Sequence, residues 1–135
     1  MSVEFPAEYF DVRFSVPDCE VAPAWPAEFA ILTAYATTGQ TWSTERNVGA
    51  DRELAAWCDA SGLPRQRITG YSPITGHAEP GWAISLDFSV ACRLGVRFRQ
   101  HACFFVQADE LWVVACSAPA QRTRIGSFRE RLRQR

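Results

Sequence analysis

Lysine is missing altogether from the 135 residues, and all fourteen basic residues are arginine. Without an amine side chain, Schiff-base catalysis, pyridoxal phosphate attachment, the phosphate-binding loop of nucleotide hydrolases and the kinase lysine are all excluded. Histidine occurs only twice and methionine once. The five cysteines, Cys19, Cys58, Cys92, Cys103 and Cys116, are odd in number and include no Cys-x-x-Cys. Neither a disulfide framework nor a zinc knuckle is indicated, so reduced, structural thiols are expected and no metal or cofactor. His-Glu-x-x-His, Gly-x-Ser-x-Gly and the dinucleotide-binding glycine fingerprint are absent as well, leaving zinc peptidases, α/β-hydrolases and Rossmann oxidoreductases unsupported. No apolar run approaches the ~18 residues of a membrane helix. The opening Met-Ser-Val-Glu-Phe-Pro-Ala-Glu is acidic where a signal peptide is basic. The expectation is a cytoplasmic protein with no membrane contact.

What is present is a globular composition: 47% hydrophobic and 21% charged residues, with five Trp and nine Phe. That is enough apolar surface for one packed core. The net charge of -1 hides an asymmetry: residues 1–30 carry six acids against Arg13, and residues 121–135 carry six arginines against Glu130. Two partner classes follow, an unidentified small molecule, or a nucleic acid or acidic protein touching Arg122, Arg124, Arg129, Arg131 and Arg133.

Along the chain, Pro6, Pro17, Pro23 and Pro26 make residues 1–27 an arm that wraps rather than builds, with a short strand somewhere in 9–16. Residues 28–118 read as a single α+β domain. Residues 28–37 are an apolar run without breakers, as in a strand buried on both faces. Asn47 is placed to cap a helix ending near Ala60, before Gly62 and Pro64, with Leu54, Trp57 and Cys58 on one face. Strands are expected over 67–71 and 82–88, joined by a loop at 70–81, and an amphipathic helix over 89–99 capped by Asp87 or Ser89.

Residues 102–106 and 111–115 form a hairpin turning at Ala108 and Asp109, which sets His101 opposite Cys116. Residues 119–135 are a basic tail or helix, with Ile125, Phe128 and Leu132 on one side. The order implies a mainly antiparallel sheet with two helices on one face: a ferredoxin-like core with an added hairpin strand, plus the C-terminal basic helix.

The loop at 70–81, Gly-Tyr-Ser-Pro-Ile-Thr-Gly-His-Ala-Glu-Pro-Gly, concentrates turn formers and titratable groups. His77 and Glu79, two apart, project to one side of an extended chain, so the carboxylate is placed to orient the imidazole as a general base. His-x-Glu also opens the zinc deaminase signature, but Pro-Cys-x-x-Cys is missing and that reading is rejected. Tyr35, Asn47, Ser72, Gln100 and His101 are the polar positions expected to border a ligand pocket. Two functions compete on these residues. One is a small binding or regulatory domain. The other is a metal-independent hydrolase or transferase in which Gln100, His101 or an arginine stabilises developing negative charge. A His101–Cys116 dyad is the weaker catalytic arrangement, since thiol and imidazole among aromatics usually belong to a core.

Three patterns in order, Phe29-Ala-Ile-Leu-Thr-Ala-Tyr with Gln40, Ser43 and Asn47, then Gly70-x-Ser-Pro-x-x-Gly-His-x-Glu-Pro-Gly-Trp, then Leu94-Gly-x-x-Phe-x-Gln-His-Ala-x-Phe, resemble a bacterial family known as domain of unknown function 3293. The resemblance covers about residues 28–116. It implies small bacterial proteins without an assigned activity, and so carries no catalytic role onto any residue here. Ala36-Thr37-Thr38 stands where the family suggests an Asn-Pro type of turn, and the basic tail lies beyond the resemblance.

Overall fold

The computed structural model describes residues 5–17, 24–37 and 40–134, the last without its side chain. In chain order these form α1 (Ala7–Phe10), β1 (Arg13–Val16), β2 (Glu28–Leu32), α2 (Thr44–Ala60), β3 (Arg65–Tyr71) and β4 (Ala78–Ile84). Then come α3 (Phe88–Arg97), β5 (Ala102–Gln107), β6 (Glu110–Ala115), β7 (Arg122–Ser127), α4 (Phe128–Arg131) and β8 (Leu132–Gln134).

Period-two alternation in β2 explains the layering, because side chains one apart on a strand leave opposite faces of the sheet. Ala30 and Leu32 join one apolar cluster with Ile84, Cys103 and Phe105. Phe29 and Ile31 join another with Phe14, Ala83 and Val106. The first cluster also takes Leu54 and Cys58 from α2 and Ala91, Cys92 and Leu94 from α3, so both helices cover the same face.

The strands form one eight-stranded sheet in the order β7-β6-β5-β2-β4-β3-β1-β8, antiparallel at every pairing except the parallel β1 and β8. Within it β2-α2-β3-β4-α3-β5 supplies four central strands in the order β5-β2-β4-β3, so each strand-helix-strand unit straddles one strand of the other.

Several expectations change on this scaffold. The sheet is wider than the core and hairpin expected, since the described part of the arm supplies β1 and residues 122–134 supply two strands. The C-terminal helix is a single turn, α4. Ile125, Phe128 and Leu132 fit helical spacing, yet they reach the same apolar cluster from strand, turn and strand. Ser43, not Asn47, caps α2, its Oγ accepting the Arg46 N–H at 3.1 Å. Serine and asparagine are both favoured cap residues, and the one four residues earlier takes the position. Asn47 sits one turn in and reaches back, its Oδ1 accepting the Ala36 N–H at 2.9 Å. The loop at 70–81 is mostly ladder, since Gly70 pairs with Glu79 and Tyr71 with Ala78, leaving only 72–77 unpaired.

Because α4 joins the two ends of the sheet in four residues, about 6 Å of helix rise, the sheet must curl until β7 and β8 approach each other. The curled inner face is the aromatic core. Phe128 lies 5.0 Å from Trp25, 5.1 Å from Phe29 and 5.7 Å from Phe14, centroid to centroid. Arg131 bridges the closure, donating to the carbonyl oxygens of Phe10, Val12 and Ile125 at 2.7, 3.1 and 2.5 Å.

Cys58, Cys92, Cys103 and Cys116 are free and buried; Cys19 lies outside the described residues. The neighbouring thiols of Cys116 and Cys92 and its full burial push the ionisation of Cys103 well up, while the Cys103 S–H pulls that of Cys92 down.

Candidate binding site

The loop at 72–77 is held by its own hydroxyls. Ser72 Oγ accepts the N–H groups of Ile74 and Thr75, Thr75 Oγ1 accepts that of His77, and Ser72 N donates to His77 O at 2.9 Å. Ser72-Pro73 is a favoured opening for such a turn, proline presetting φ. Gly76, at φ 76°, takes the left-handed position for which glycine pays no steric cost. His77 therefore leaves the turn in a defined direction and, as expected for residues two apart, meets Glu79: Nε2 to Oε1 is 3.2 Å. The imidazole is 63% exposed and the carboxylate 26%.

Gly81 fixes the strand beneath. A β-carbon there would stand 2.5 Å from the Leu32 carbonyl oxygen, so only glycine lets β4 lie this close to β2. Thr33 Oγ1 donates to Pro80 O at 2.9 Å and accepts the Tyr35 N–H, tying the continuation of β2 to the same place.

A cavity of about 90 Å³ opens at this end of the curled sheet. Val12, Phe14, Ile31, Ile68 and Phe104 give it apolar walls, and Glu8, Ser72, His77, Glu79 and Gln100 its polar groups. A second cleft of about 350 Å³ adjoins it, lined by Tyr35, Thr37, Gln40, Trp42 and Asn47, and shares Glu8, His77 and Glu79 with it. Pockets at the mouths of curled or closed sheets, with apolar walls and a few converging polar groups, are the usual form of a small-molecule site.

Among the expected pocket residues, Tyr35 and Asn47 line the outer cleft and Ser72 and Gln100 the inner cavity. His101 lines neither: it is exposed, and its backbone N–H donates to Thr37 Oγ1. His101 does stand opposite Cys116, as its register requires, with Cys116 N donating to His101 O at 3.0 Å, but Cys116 is buried at 2% exposure and the ring is not. Gln100 is buried because its Nε2 donates to Tyr35 O at 2.7 Å and Phe98 O at 3.2 Å, clamping the end of α3 to the segment after β2.

Glu8 and Tyr9, which no motif in the sequence marks as pocket residues, arrive from α1, where Tyr9 meets Phe104 edge-on at 5.7 Å. Pro6 with Glu8 two residues on, an acidic first turn, is the sign of α1 that the sequence carries.

Among the described residues no group of three or more His, Cys, Asp or Glu is arranged to hold a metal, and no helix is long and apolar enough to cross a membrane. Much of the basic segment is engaged within the fold. Arg122 lies over the rings of Phe88 and Trp112, Arg124 pairs with Glu110, and Arg133 bonds the carbonyls of Glu130 and Leu132.

No curated protein and no solved structure matches the chain. Residues 32–103, from the end of β2 into β5, match the family described as Protein of unknown function (DUF3293). That span holds the 72–77 loop, Asn47 and Gln100 but not Glu8. Covering more than half of the sequence, the match establishes that this chain belongs to the DUF3293 family.

Proposed function

We propose that this protein is a small binding or regulatory domain whose ligand occupies the cavity beside the 72–77 loop and extends into the outer cleft. The observation that carries the reading is the junction: an apolar cavity and a polar cleft meet at Glu8, His77 and Glu79, three groups from two distant parts of the chain. The test is a thermal-shift screen of a small-molecule fragment library against the wild type and Gly70→Val. Gly70 lines the cavity, and a β-carbon there meets Phe14 and Val12 at ordinary contact distances of 3.6 and 3.7 Å, so valine adds bulk to the cavity without a clash at Cβ. Fragments that stabilise the wild type should lose their effect in Gly70→Val. Equal stabilisation of both proteins, or none of the wild type, overturns the reading.

A second reading rests on the 3.2 Å contact between His77 and Glu79. In it His77 is the general base of a metal-independent hydrolase or transferase, and Glu79 is its positioning residue. The exposure of the imidazole weighs toward the binding reading, since a base must be held in place to act. Turnover of a phosphoester, ester or amide that disappears in His77→Ala would reverse that preference; an inactive panel removes the second reading.

A further inference from the structure

The fixed charges that the two cavities offer are negative, and the hydroxyl and amide groups around them, Ser72 and Asn47 among these, can donate or accept. Glu8 and Glu79 bring two carboxylates. Gln100 brings a carbonyl oxygen: its amide nitrogen faces the carbonyls of Tyr35 and Phe98, so the other arm of the amide is Oε1, and among the described residues Oε1 accepts no hydrogen bond. Gln100 is only 6% exposed and lines the inner cavity, so this acceptor is one that a bound donor would satisfy. Of the thirteen arginines among the described residues, none lines either cavity, although arginine is the chain's only permanently cationic side chain.

Carboxylates with no arginine facing them select against an anionic ligand and favour one that brings positive charge and N–H donors. Behind them the walls are apolar, and Tyr9, Phe14 and Phe104 add aromatic rings of the kind that attract cations. The inner space of about 90 Å³ is smaller than the roughly 150 Å³ cavity that accepts a benzene ring, so the part that enters is a short alkyl chain.

Resting on the binding reading above, we infer that the ligand is an alkyl amine. Its ammonium sits at the junction between Glu8 and Glu79, within reach of Gln100 Oε1, and its alkyl chain lies in the inner cavity.

Three probes with similar chains and different heads test this: n-butylamine, butan-1-ol and pentanoate, titrated by amide chemical-shift mapping into the wild type, Glu8→Gln, Glu79→Gln and Gly70→Val. The amine should shift amides at 72–79 and at Gln100, and bind about tenfold more tightly than the alcohol, as an ion-paired head group would. Pentanoate should be weakest, and each glutamine variant should bring the amine several-fold closer to the alcohol. Alcohol or acid binding as tightly as the amine, and blocked in Gly70→Val, would keep the cavity as a binding site but overturn the amine. Amine binding unchanged in Gly70→Val would overturn both. An amine that shifts nothing in the wild type also overturns the amine assignment, with the fragment screen deciding the cavity separately.

Discussion

At the scale of single residues, Gly81 is the position where chemistry leaves least choice. Any β-carbon there meets the Leu32 carbonyl at 2.5 Å, and that oxygen is backbone and cannot swing away. Gly81→Ala should therefore cost about 1–3 kcal/mol, the usual range for forcing atoms into a packed interior, read by urea denaturation. Gly49 is the control. It lies within α2 with nothing within 4 Å of the position its β-carbon would take, so Gly49→Ala should stabilise by up to about 1 kcal/mol through helix propensity. A loss at Gly49 or no change at Gly81 would contradict the packing described here.

At the scale of elements, the hairpin turn between β5 and β6 also holds the C-terminal turn. Ala108 and Asp109 both have positive φ, at 48° and 69°, as a two-residue hairpin loop requires. Burial disfavours the Asp109 charge, but the Ser127 hydroxyl, the Arg129 backbone N–H and the Arg129 guanidinium outweigh it and hold the carboxyl below its ordinary range. A carboxyl depressed in the folded state adds stability that is present above its unfolded value, near 4. That contribution is lost as pH falls through the folded value. Asp109→Asn tolerates the same backbone and removes the charge. It should cost about 1 kcal/mol at pH 7, and the difference from wild type should shrink as the pH falls below 4. A difference independent of pH would refute the assignment.

How far the sequence was legible also shows at this scale. The β5–β6 register was readable because two β-rich runs flank one short polar turn, and His77 and Glu79 because residues two apart share a side of any extended strand. The short α4 was not, since Ile125, Phe128 and Leu132 satisfy helical spacing and strand-turn-strand equally; the apolar interior of the curled sheet decides between them. Nor was Glu8, whose place in the cavities that Glu79 also lines depends on pairing β1 with β3, a contact between distant parts of the chain.

At the scale of the whole molecule, curling the sheet creates both the aromatic core and the open end that holds the cavities. Arg131 ties Ile125 in β7 to Phe10 and Val12, the residues that lead from α1 into β1. Arg131→Met should cost about 2–3 kcal/mol for three lost bonds. Hydrogen exchange should speed up first in α1 and β1, and, because α1 carries Glu8, the affinity of the cavity should fall with it. Uniform loosening of the sheet would show that Arg131 does not hold this closure. The most direct test of the central claim is a crystal structure of the wild type with a fragment that raises its Tm. Density for the fragment is expected against Phe104 and Gln100, reaching Glu79. A fragment bound elsewhere, with the cavity holding only solvent, would contradict it.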